Sequence, residues 1–138
     1  MKVLRFIFSV VWQLPQFLIS LLVLLFLKVA GRITGKVCID GGAAKHSCVY
    51  FYNGKSKNAF SMGELIFVSN AFVDNRRVIR HEYGHAIWSV YLGWFYLVVI
   101  GIPSLFVAGV APNIAGRCYF ERWADKAVDS VKIKYVCK

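Results

Sequence analysis

The sequence predicts an α+β fold, mainly helical, with a small antiparallel sheet, an N-terminal membrane segment and a hydrophobic helical hairpin. Three observations predict it. The 138 residues are 58% hydrophobic, above the roughly 45–50% of ordinary soluble domains, and the mean hydropathy is +0.55. Two long runs, residues 6–27 and 86–116, carry no charge. Between them lies a polar, glycine-containing stretch with short β-branched and aromatic runs, the mark of strands. The length suits one domain. Hydrophobicity this high excludes disorder, and the apolar surface exceeds what a small core hides. A lipid bilayer is therefore the first expected partner.

The charge balance agrees. Lys and Arg number 17 against 7 Asp and Glu, a net charge of +10. Basic residues serve either nucleic acid or the anionic face of a membrane. Here they are scattered along the chain, with no nucleic-acid module signature around them, so no nucleic-acid partner is expected.

Residues 1–30 form the membrane segment. The first uncharged run spans 22 residues, and a bilayer needs about 20. It is too long for a typical signal-peptide core and no small-x-small site closes it. Pro15 interrupts the helical hydrogen-bond ladder, so the segment is either a kinked span or two helices around a break. Residues 31–138 form the second unit. Cys48 to Tyr52 reads as a strand followed by an Asn53-Gly54 turn, and Ser61 to Asn70 as another. Asp74 is the expected N-cap of a helix from Arg76 towards Tyr91. Arg117 to Lys132 has the spacing of an amphipathic helix. Cys38, Cys48, Cys118 and Cys137 include no C-x-x-C pair. They permit two disulfides in an oxidising compartment, but reduced thiols are the expected state.

Chemistry concentrates in His81-Glu82-Tyr83-Gly84-His85, an H-E-x-x-H motif on the predicted helix. Positions i and i+4 share a face, so two imidazoles can converge on one zinc ion. Glu82, beside the first, is placed to take a proton from the attacking water. A catalytic zinc site has three protein ligands. No third histidine follows the motif closely. Asp40 in Ile39-Asp40-Gly41-Gly42 lies upstream, in the wrong order for an intramembrane protease of the site-2 type. His46 sits in a polar loop. The remaining candidate is Glu121-Arg122-Trp123-Ala124-Asp125, or E-x-x-A-D.

H-E-x-x-H followed by E-x-x-A-D resembles the gluzincin metalloproteases. The resemblance implies a zincin-like minimal metalloprotease core with Zn2+ as cofactor. It makes Glu121 the third ligand beside His81 and His85, and Asp125 the hydrogen-bond partner of a histidine ligand, His81. The helical spacing is compatible: Glu121 and Asp125 share a face, and small Ala124 lets two helices approach. Glu121 and Asp125 paired with neighbouring basic residues on an exposed helix is the alternative. Trp12-Gln13-Leu14-Pro15-Gln16, the block from His81 to Leu105 and Tyr119 to Asp125 also resemble small, uncharacterised membrane-associated H-E-x-x-H proteins of bacteria and phages. Trp88 departs from that pattern, where a polar glutamine is expected.

Both halves of such a site must lie on one side of the membrane. A straight helix over residues 86–116 would be about 46 Å long, so the run should fold back. Gly101-Ile102-Pro103-Ser104 is the expected break, giving a membrane-dipping hairpin at about residues 92–112. Zincin-like proteases commonly carry an edge strand before the motif helix, to which peptide substrate adds. The resemblance thus assigns Gly63, Glu64, Leu65 and Ile66 to a substrate strand, a purely structural strand being the alternative. The expected function is a membrane-associated zinc metallopeptidase acting on a peptide or membrane-protein substrate. The alternative is a non-catalytic membrane protein with a structural metal site or a partner-binding role. The resemblance implies a bacterial inner membrane, and the basic residues after the first segment put the active site on its cytoplasmic side.

Overall fold

The computed structural model describes residues 2–136; Cys137 lies outside them. The N-terminal run forms two helices, α1 (Lys2–Trp12) and α2 (Leu14–Val29), bent by 92°. Pro15 falls in the first turn of α2, where its missing N–H has no helical acceptor to lose. The two-helix reading of the Pro15 break is therefore the observed one.

Five strands follow from α2 in one sheet: β1 (Ile33–Asp40), β2 (Cys48–Tyr52), β3 (Ala59–Met62), β4 (Leu65–Ser69) and, at the C-terminus, β5 (Lys134–Val136). The order is β3-β4-β2-β1-β5. The sheet is mixed, not antiparallel as expected. The chain leaves β2, passes to the far edge as β3, and turns back at Gly63 (φ +61°) to insert β4 between β3 and β2. β4 then runs parallel to β2, with Cys48 opposite Leu65 and Tyr52 opposite Ser69. The expected single strand from Ser61 to Asn70 is thus a hairpin of two short ones. Cys38 and Cys48 stand opposite one another on β1 and β2, and Cys38 and Cys118 are free thiols.

Alternation along β4 shows how the sheet is covered. Ile66 and Val68 pack with Val49, Ile79, Tyr83 and Ile87 against the motif helix α3 (Arg76–Leu92). Phe67, pointing the other way, packs with Leu27 of α2 and Tyr52. Both faces are covered, which is why Ile66, Phe67 and Val68 are all fully buried. α2 is therefore one layer over the sheet.

α3 begins at Asn75, not at the expected cap Asp74: the Asn75 side-chain oxygen accepts from the Val78 N–H at 3.3 Å. Beyond α3 the helical path bends by 117° at Gly93–Tyr96. It continues through a π-helical turn at Leu97–Gly101 into α4 (Ile102–Val110). The expected break at Gly101–Ser104 is not where the chain turns. Pro103 sits in the first turn of α4 and is tolerated there. Gly93, at φ +53°, makes the turn beneath the Trp12 indole, where a Cβ would collide with the ring. A 3₁₀ segment, Pro112–Arg117, then leads to α5 (Tyr119–Val128), shorter than the predicted Arg117–Lys132.

Candidate metal centre

The centre is built where α3 crosses α5. Gly84 permits that crossing. A Cβ there would fall on the Ala124 carbonyl, 2.6 Å from its carbon and 2.9 Å from Ala124 Cα. Only glycine admits the α5 backbone so closely. Side chains of α3 then grip α5 at both ends. Arg80 donates to the Val128 carbonyl. Trp88 Nε1 donates to the Trp123 carbonyl at 2.9 Å, its ring stacked on Trp123 with centroids 5.0 Å apart. Trp88 thus packs between the helices and spends its N–H on the α5 backbone, and it does not line the cavity beside the centre.

This clamp brings the predicted ligands together. His81 Nε2 lies 2.8 Å from Glu121 Oε2, and His85 Nε2 lies 3.7 Å from Glu121 Oε1. One ligand atom from each of the three lies within 4.8 Å of the others. Among the described residues, His81, His85 and Glu121 are the group that could hold a metal ion. His81 Nδ1 lies 2.7 Å from Asp125 Oδ1. That contact fixes the orientation of the imidazole and leaves Nε2 for the ion, a usual pairing at metal centres.

The electrostatics follow from these contacts. The hydrogen bond to Glu121 holds a proton on His81 and raises its pKa to about 9; burial opposes this and the Asp125 bond adds to it. Burial, followed by the positive charge of His81, pushes His85 down to about 4, so that imidazole is neutral near pH 7. Burial also works against the charge on Glu121. The hydrogen bond from His81 and the neighbouring imidazoles outweigh it and hold that carboxyl below its ordinary value. Glu82 is buried and its carboxyl is pushed up to about 7, first by desolvation.

The four residues open onto a cavity of about 470 Å³, walled on one side by β3 and on the other by Gly101, Ser104 and Leu105 at the start of α4. The proposed substrate strand is placed differently. Gly63 and Glu64 form the β3–β4 turn, and Leu65 and Ile66 lie on β4, hydrogen-bonded on both sides. The Glu64 carboxylate accepts from Ser9 Oγ at 3.0 Å. The edge strand beside the centre is β3, whose Ser61 and Met62 line the cavity. His46 is exposed and meets the Phe6 ring edge-on, with centroids 5.4 Å apart.

Sequence reasoning did not single out Gly84, Ser61 or Tyr96. Gly84 carried a readable signal, since glycine inside a helix costs about 1 kcal/mol and marks a close approach. Ser61 and Tyr96 reach the cavity only through the β3 edge and the Gly93 bend, and no local pattern announces them. Comparison with known proteins adds no relative: no family model, curated protein or solved structure matches the chain.

Proposed function

We propose that the chain is a membrane-associated, zinc-dependent peptidase of gluzincin type, with its centre on the cytoplasmic face. The observation that carries the reading is the convergence of His81, His85 and Glu121 in an open cavity that also holds the buried carboxyl of Glu82. The donor set suits zinc, which takes imidazole nitrogen and carboxylate oxygen and, in catalytic sites, three protein ligands. Bound there, zinc supplies a Lewis acid that activates water and polarises a carbonyl oxygen.

The chain's own groups do the rest. Asp125 holds His81 in the tautomer that offers Nε2. Glu82, on the turn between the two histidines and shielded from bulk water, accepts the proton of the attacking water and passes it to the leaving amine. A carboxyl balanced near neutral pH suits both transfers. The cavity admits substrate between β3 and α4.

Glu82→Gln separates proton transfer from metal binding. It keeps the side chain's shape and removes its basicity. Zinc content should match wild type, while cleavage of a membrane-peptide library falls about 100-fold or more. Hydrolysis by Glu82→Gln at the wild-type rate would end the catalytic reading.

A further inference from the structure

We infer that the chain seats in a single leaflet of an anionic membrane, held by the outer face of α2 and by α4, with the metal cavity opening beside the lipid. This deepens the membrane part of the proposed function and does not depend on hydrolysis.

The first observation is that α2 is inside-out. Its uncharged polar residues and the one at its start face inward: Gln13, Gln16 and Ser20 are 3%, 0% and 0% exposed. Its outer face carries Leu18, Leu22, Leu25 and Phe26 at 51–67% exposure. In water the arrangement would be reversed. In lipid it is the expected one, because polar side chains turn towards the protein interior. α4 repeats it with no polar group on its outer face: Ile102, Leu105, Phe106 and Val110 are 62–69% exposed. Exposed apolar surface on this scale marks an interaction site.

The second observation fixes the depth. α2 has 16 residues, about 24 Å of helix, too short for a hydrocarbon core of about 30 Å and too long to stand upright in one leaflet of about 15 Å, so within a single leaflet it lies along the surface with its apolar outer face towards the lipid. Longer rods would form only if the 92° or 117° bend opened. Both bends are tied to each other. Gln16 Nε2 donates to the Gly93 carbonyl at 2.6 Å and to Ser89 Oγ at 3.2 Å, and Ser89 Oγ donates to Gln13 Oε1 at 2.9 Å. Trp12 Nε1 donates to the Val90 carbonyl and Trp94 Nε1 to the Val11 carbonyl. Straightening either pair would strip these partners from buried amide groups, in a solvent that offers no replacement.

The third observation names the lipid. α2 ends in exposed Lys28, followed by Arg32, which shares a polar hollow with Lys55 of the β2–β3 loop. Three cations at the end of an apolar helix complement anionic headgroups. α4 completes the seating. Ile102 and Phe106 lie on its outer face, Gly101 and Ser104 line the metal cavity, and exposed Leu105 stands at the rim between the two. One helix therefore separates lipid from metal centre, and an apolar segment of a membrane protein would reach the centre along it.

The test uses the full chain in vesicles of 70% phosphatidylcholine and 30% phosphatidylglycerol. The intrinsic tryptophans, read with bromine-labelled lipids, need no substitution. Bromines near the headgroup should quench more strongly than bromines at the bilayer centre. The chain should float with these vesicles, and Phe106→Glu combined with Leu25→Glu should lower vesicle binding at least tenfold with zinc content unchanged. With the four native cysteines replaced by serine, impermeant thiol reagents should reach Lys55→Cys, Asn113→Cys and Lys126→Cys, each made singly, from the same side of cell-derived vesicles. Strongest quenching at the bilayer centre, or labelling of two of these positions from opposite sides, would overturn single-leaflet seating while membrane association stood. Failure to float would overturn the membrane reading altogether. Neither result bears on zinc content or on the Glu82→Gln comparison, so the peptidase reading stands or falls separately.

Discussion

Gly84→Ala pits two effects of opposite sign against each other. By helix propensity alone alanine is better than glycine by about 1 kcal/mol. At this position the added methyl group would lie 2.6 Å from the Ala124 carbonyl carbon, against backbone that no rotamer change can move. Carbon atoms pack at roughly 3.5–4.0 Å, so α3 and α5 must part by about 1 Å. Overpacking of this kind costs typically 1–3 kcal/mol, occasionally more. Because the clash is with backbone rather than a movable side chain, the cost falls in the upper half of that range, about 2–3 kcal/mol, so the steric effect wins with a net loss of about 1–2 kcal/mol. The same displacement carries Glu121 and Asp125 away from His81, stretching contacts now at 2.8 and 2.7 Å. Zinc affinity should therefore fall about 10-fold or more, as when a supporting partner of a metal ligand is lost. Denaturant unfolding in a mild detergent and chelator competition read the two effects. Gly109→Ala is the control. Nothing lies within 4 Å of its added methyl, so it should be neutral or stabilise by up to about 1 kcal/mol. If Gly84→Ala behaved like Gly109→Ala and bound zinc normally, the close crossing of α3 and α5 would be refuted.

Two further outcomes follow from the contacts of His81. Asp125→Ala should weaken zinc binding about 10- to 100-fold, and excess zinc should restore occupancy and any activity, whereas zinc should not rescue Glu82→Gln. The pKa of His81 is raised to about 9 in the metal-free protein, so zinc must displace its proton at any lower pH. Affinity should therefore fall about tenfold per pH unit on going from pH 9 to pH 7. Zinc uptake at pH 7 should release close to one proton, seen by calorimetry in buffers of different ionisation enthalpy. Uptake without proton release would remove the His81–Glu121 proton from the description.

The centre was more legible than the frame around it. H-E-x-x-H and E-x-x-A-D each place two functional side chains one helical turn apart, so each helix declares its own half locally. Small Ala124 hinted at the crossing, and Gly84 is what the hint needed. The sheet was less visible because its pairings are not local. β1 is interrupted by Gly35 and Lys36 and only its last turn inward, Ile39, is fully buried. β5 exists by pairing with β1 from the other end of the chain. The parallel pairing of β2 with β4 arises from the route through the far edge, which no strand pattern encodes. The bend beyond α3 was misplaced for the same reason. Gly101 and Pro103 are the stronger local breakers, but Gly93 is held in its turn by Trp12 and Gln16, contributed from the other end of the chain. Trp12-Gln13-Leu14-Pro15-Gln16, conspicuous in the sequence, acts there as a structural splice between the two bent helix pairs.

Metal analysis of the purified chain, combined with anomalous scattering at the zinc edge, addresses the joint between the two helices. One zinc per chain is expected, bound by His81 and His85 from α3 and by Glu121 from α5. His81→Ala, His85→Ala and Glu121→Ala should each lose it while the chain stays folded. Full zinc occupancy with unchanged coordination in Glu121→Ala would contradict a centre shared between α3 and α5.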